Sequence, residues 1–149
     1  YENVDSYGEP QRFDMAAVMK ESYINADIID SSDADVISAG DFEKKRVCTQ
    51  FPYGWECTKG EGKLEIKAEF QNLGILYFAT TNGLGGQYDV YVDGEYAGTI
   101  NADFSDGWGN AIKAKQVYIS DSSAEHTITI KKSPDSTGDL FDLLGLLVS

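Results

Sequence analysis

The sequence is short of the residues on which most catalytic and metal-site assignments depend. It has two cysteines, Cys48 and Cys57, and one histidine, His126. Structural zinc takes four nitrogen or sulfur ligands, so these three positions exclude a site built in the usual way. The cysteines stand nine positions apart, which does not fit a Cys-x-x-Cys redox motif. Cationic residues are also few: 12 Lys and Arg against 25 Asp and Glu leave a formal charge of −13. Such a chain repels phosphate backbones and anionic headgroups, which argues against nucleic acid and membrane surfaces as partners. No stretch reaches the ~18 consecutive apolar residues that a transmembrane helix needs.

What is present points to a folded domain. Hydrophobic residues make up 42% of the chain and aromatics 12%, too much apolar content for a disordered segment. With 149 residues the expectation is one domain over 1–149, residues 1–11 being linker-like. A start at Tyr1 without Met or a signal-like apolar segment suggests a mature or excised module. The two cysteines enclose Thr49–Glu56 (TQFPYGWE), and a local disulfide is favoured over two unpaired thiols. Closing so small a loop would add roughly 2.5–3 kcal/mol if unstrained. A disulfide in turn favours a secreted, extracellular or cell-surface location.

Asp14–Tyr23 (DMAAVMKESY) reads as a helix: Asp14 can cap it and no Gly or Pro interrupts it. Residues 24–40 are acidic and turn-rich, with apolar pairs at Ile28-Ile29 and Val36-Ile37. After that the chain reads as β-structure. Leu64, Ile66, Ala68 and Phe70 alternate with charged residues, the period-two pattern of a half-buried strand. Ile75–Ala79 (ILYFA) is continuously apolar, as in a strand covered on both faces. Asp93-Gly94 between two β-rich runs suits a type I′ hairpin. That turn sets Val92 against Glu95, Tyr91 against Tyr96 and Val90 against Ala97. Gln116–Ile119, His126–Lys131 and a closing central strand, Leu140–Val148, follow. Together these predict an all-β antiparallel β-sandwich or jelly roll with one short N-terminal helix.

Catalysis finds little support. Ile37–Phe42 (ISAGDF) holds part of a Gly-Asp-Ser-Leu esterase block, but Phe42 stands where the nucleophilic serine would be. A serine triad would rest wholly on His126, which reads instead as a structural residue at a strand start. No acid and nucleophile context for glycoside hydrolysis is recognisable. Gly83, Gly85 and Gly86 form a turn rather than a phosphate cradle, since no third glycine at the required spacing and no crossover helix follow. Acidic clusters at 30–35, 103–106 and 135–139 offer oxygen ligands without matching an EF-hand. No cofactor is expected; a structural calcium in a loop is compatible with these clusters.

The aromatics carry the sharper expectation. Phe51, Tyr53 and Trp55 recur at every second position between the cysteines. Stiff rings on a closed loop would stack on the apolar faces of sugar rings, giving large contact for little lost rotamer entropy. Trp108 lies between Gly107 and Gly109, with Asp106 and Asn110 available to bond hydroxyls. Tyr91 and Tyr96 are a third candidate, against the reading of a plain cross-strand packing pair.

Tyr88–Ile100 (YDVYVDGEYAGTI), Asp103–Asn110 (DFSDGWGN), Glu125–Ile130 (EHTITI) and Phe141–Ser149 carry a resemblance. They resemble the galactose-binding-like jelly-roll modules of modular plant-cell-wall enzymes, including those attached to carbohydrate esterases. The resemblance covers the chain from Gln87 onward and implies a sandwich with a sugar-binding role in a secreted multimodular protein. The expected function is therefore a non-catalytic carbohydrate-binding module. It would bind plant polysaccharide through Trp108, Trp55 and Tyr53, with Asp106, Asn110, Tyr91 and Tyr96 contributing. Such a module would be monomeric and tethered to a catalytic domain. The alternatives are a structural or protein-interaction module of a cell-surface enzyme assembly, and an accessory domain of an adjoining esterase.

Overall fold

The computed structural model describes residues 27–51 and 53–149. The helix expected at 14–23 and the linker-like residues 1–11 lie outside the described residues. Every regular element among the described residues is a β-strand, and every pairing between strands is antiparallel.

Two long strands, β5 (Lys63–Ala79) and β8 (Ala111–Lys132), organise the sandwich by running through both layers. They pair along their whole length, from Lys63↔Lys131 to Ala79↔Ala111. Midway, Gln71 stands against residues 120–123 and the register breaks. Gln71 Nε2 donates to the Ser120 carbonyl at 3.0 Å and Ser120 Oγ donates back to the Gln71 carbonyl at 3.0 Å, pinning this corner. Strands that change sheets do so at such bulged corners. In the first layer, the early part of β5 pairs with β2 (Asp35–Ser38), and the late part of β8 with β6 (Gln87–Val92). β6 pairs onward with β7 (Glu95–Asn101). In the second layer the late part of β5 pairs with β9 (Phe141–Val148). The far edge of β9 takes β4 (Gly54–Cys57) and then β1 (Asp27–Asp30), and β4 carries β3 (Glu43–Lys45).

Alternation decides what fills the space between layers. Leu64, Ile66, Ile128, Ile130, Val90 and Tyr88 face inward from the first layer and are closed to solvent. Leu73, Ile75, Phe141, Leu143 and Leu146 meet them from the second. Tyr88 stacks on Phe141 with centroids 4.7 Å apart, and Phe42 meets both rings edge-on. Fully burying each of these side chains stabilises the fold by about 1.5–3 kcal/mol. All of β9 is buried, as expected for a central apolar strand.

Several expectations change in detail. The runs at 64–70 and 75–79 belong to one strand, as do 116–119 and 126–131. Ile28-Ile29 and Val36-Ile37 enter strands rather than turns, because β9 and β5 offer them free edges. The Asp93-Gly94 turn forms with both residues at positive φ, 52° and 83°. Val92↔Glu95 and Tyr91↔Tyr96 pair as expected, but a bulge at Ala97 sets Val90 against Gly98.

Candidate functional site

Because β5 and β8 pair end to end and fold over at one corner, their termini meet at the opposite end of the sandwich. Three loops converge there, 80–86, 102–110 and 133–140. Thr80 bridges to Asp103, and Gly85 to Leu140. Asn82 Oδ1 accepts from Thr80 Oγ1 at 3.0 Å and from the Leu84 amide at 2.9 Å. Asn110 Oδ1 accepts from the Thr81 amide at 3.0 Å. Asp103 Oδ1 accepts from the Ser105 amide at 3.1 Å and also from Ser105 Oγ. Gly107 lies so close over the Phe104 ring that a Cβ there would fall 2.4 Å from it. On this frame Trp108 stands free, with a relative exposure of 106%, and Leu84 on the adjoining loop is 60% exposed. Asp106 is exposed in the same loop. Single exposed apolar residues are ordinary, but an indole presented whole on a braced loop is a ready stacking surface.

Tyr91 and Tyr96 sit on the outer face of the first layer, in edge-to-face contact at 5.9 Å. Tyr96 is 61% exposed and its hydroxyl bonds Thr99 Oγ1 at 2.7 Å; Thr99 Oγ1 in turn donates to Asp89 at 2.6 Å. Tyr91 borders a cavity of ≈ 470 Å³ with Glu65, Thr127, Thr129 and Lys131. The outward threonines were legible in the sequence as the alternate positions of HTITIK.

The segment between the cysteines behaves differently from expectation. Trp55 is a strand residue: its register with Leu143 turns it inward, half-buried against the core, so it is no stacking residue of a loop. Its Nε1 is buried without a hydrogen-bond partner. Tyr53 is 54% exposed, with Lys44 Nζ 5.5 Å from its ring centre. It borders a crevice of ≈ 360 Å³ with Ile28, Asp30 and Phe51. The three aromatics thus do not present one surface. Nor does the expected disulfide form: both thiols are free. Cys57 pairs in register with Phe141 and is fully enclosed in the core, while Cys48 stays in the half-buried loop outside.

His126 is structural. Its ring packs between Phe70 and Tyr118, and Nδ1 lies 2.6 Å from Asp93 Oδ2. That contact holds the Asp93 carboxyl below its usual range. One carboxylate of each acidic cluster, Asp30, Asp103 and Asp139, is engaged by a neighbour. Asp30 accepts from Ser32 and Asp33, its pKa lowered chiefly by the Ser32 hydroxyl, and Asp139 pairs with Lys132 at 2.6 Å. Among the described residues no group of three or more His, Cys, Asp or Glu could hold a metal ion.

No family model matches the sequence, and no curated protein matches it either. Solved structures do match in shape. A two-domain esterase (CEX) active on acetylated mannans superposes with a TM-score of 0.70 at 17% identity, over 95% of this chain. This chain spans 39% of that esterase's length. The CBM36-1 domain of a multidomain xylanase from the hindgut metagenome of Trinervitermes trinervoides gives 0.57 at 14% identity, covering 84% of this chain and 97% of the module. A CBM36 carbohydrate-binding module in complex with calcium and xylotriose gives 0.53 at 13%, covering 81% and 97%. At such identities the likeness is one of fold.

Proposed function

We propose that this chain is a non-catalytic carbohydrate-binding module of a secreted multimodular enzyme, holding plant polysaccharide near a catalytic partner. The observation that carries this is Trp108, wholly exposed on a loop braced through Phe104 and Asn110. Its indole would stack on a sugar ring, Asp106 would accept from hydroxyls, and the Asn110 amide nitrogen would donate to one. The fold shared with carbohydrate-binding modules supports this role. One such stacking contact supplies roughly 0.5–1.5 kcal/mol, so the affinity would be weak.

Affinity electrophoresis against glucans, xylans, mannans and pectins tests the proposal. At least one polysaccharide should retard the protein, and Trp108→Ala should weaken that binding about 2–10-fold. Absence of retardation on every polysaccharide, or unchanged retardation of the variant, would sink it. A second reading, an accessory domain of an adjoining esterase, is favoured by the overlap of 95% of this chain with part of a two-domain esterase. It requires that deleting the domain cripple a parent esterase on small soluble esters as well as on polymer. A binding module lowers activity on polymer alone.

A further inference from the structure

We infer that the outer face of the first layer is a second saccharide site, distinct from the loop end, which reads a sugar carrying one isolated carboxylate. Lys131 is the ion partner and Tyr91 the apolar wall, with Tyr96 packed edge-on against it. The cavity over β5, β8 and β6, ≈ 470 Å³, is large enough to seat a pyranose ring. Its lining mixes donors and acceptors at the outward positions of paired strands: Glu65, Thr129 and Tyr91 lie in one cross-strand row. Thr127 and Thr129 offer hydroxyls to a sugar. Tyr96 is held by Thr99 and Asp89, so its ring backs Tyr91 without losing further freedom.

Charge narrows the ligand. The charged groups that line the cavity are Lys63, Glu65, Asp93 and Lys131. Lys63 and Glu65 pair with each other at 3.0 Å, and Asp93 is held by His126 and the Thr127 amide. Among the described residues Lys131 has no carboxylate partner; its Nζ rests 4.9 Å from the Tyr91 ring centre. A ligand carboxylate would supply that partner while the sugar ring covers Tyr91. The molecule's −13 charge sets the limit on ligand charge density. At physiological ionic strength charges beyond about 8 Å are screened, so one carboxylate on a neutral chain is tolerated where a fully ionised polyuronate is repelled.

The inference rests on the carbohydrate-binding reading but not on its loop-end site. Calorimetry would compare a neutral oligosaccharide bearing one glucuronic acid side group with the same oligosaccharide lacking it, and amide NMR would follow free glucuronate. The acidic ligand should bind about 5–10-fold tighter, and the difference should shrink as salt rises. Lys131→Gln should erase the preference, Lys131→Arg should keep it, and Trp108→Ala should leave it intact. Glucuronate should shift the amides of Tyr91 and Thr129. Equal affinities, a preference that survives Lys131→Gln in a folded protein, or glucuronate shifts confined to 102–110 would overturn the inference. Glucuronate shifts at Tyr91 and Thr129 with no neutral glycan bound would uphold it and remove the loop-end site alone.

Discussion

Trp108 and His126 show how differently one residue can be placed. Trp108 makes no core contribution, so Trp108→Ala should leave the thermal midpoint within about 1 °C while weakening polysaccharide binding. Differential scanning calorimetry beside affinity electrophoresis separates the two effects. His126 is the reverse case: 9% exposed, packed on Phe70 and tied to Asp93. His126→Ala opens a cavity and leaves the Asp93 carboxyl without that partner, and should cost about 2–4 kcal/mol in urea unfolding. A loss under about 0.5 kcal/mol would show that the Asp93 contact and the ring packing contribute little. Of the three aromatics that sequence spacing set between the cysteines, Trp55 turns toward the core rather than standing on a loop, for a register reason. Its partner Leu143 is a core position, and only pairing with β9 reveals that.

Among the elements, the β6–β7 hairpin and the β4–β9 pair carry opposite lessons. The hairpin depends on Asp93 and Gly94 at positive φ. Gly94→Val forces a β-branched residue into that turn and should destabilise by about 1–3 kcal/mol, although its added Cβ meets nothing within 4 Å. Stopped-flow unfolding would read this as a faster unfolding rate. Between β4 and β9 the outward neighbours are Glu56 and Asp142. Asp142 is 3% exposed, and burial first, then the Glu56 carboxylate, push its pKa up to about 8. Lys45, paired with Glu56 at 2.7 Å, opposes part of that shift. An unfolded Asp142 titrates near 3.8, so the folded state holds the proton more tightly. Stability from this group is complete below that ordinary range and is lost as pH rises through about 8. Asp142→Asn keeps the shape without the charge; it should flatten the decline and raise stability at pH 8–9 by about 1–3 kcal/mol. Urea midpoints between pH 4 and 9 would show it, and parallel pH profiles for the two proteins would rule it out.

For the whole molecule, the charge of −13 predicts self-repulsion that salt relieves. Moving from 10 mM to 300 mM NaCl should raise the melting temperature by a few degrees, since the Debye length shortens severalfold. Calcium and a chelator should leave it unchanged, because Asp30, Asp103 and Asp139 are each engaged by local donors or Lys132. A rise of several degrees with calcium would instead place an ion in one of these loops.

Local chemistry made much of this legible from the chain alone: the strand character of 64–70, 75–79 and 88–100, the type I′ turn, the inward Ile128 and Ile130, the closing central strand. Each follows from period-two alternation or from the φ demands of a turn, which neighbouring residues settle between themselves. Tertiary structure decided the rest. It fused four expected runs into β5 and β8 by folding both at Gln71, a corner that exists only because the two strands bend together. It turned Trp55 and Cys57 inward through pairing with β9. It gathered three loops distant in sequence around Trp108 and set Lys131 beside Tyr91. The acidic excess that argued against phosphate-rich partners could not show that Lys131 stands over Tyr91 at a cavity, because charge composition sums over the chain whereas recognition depends on which groups are brought within a few ångströms.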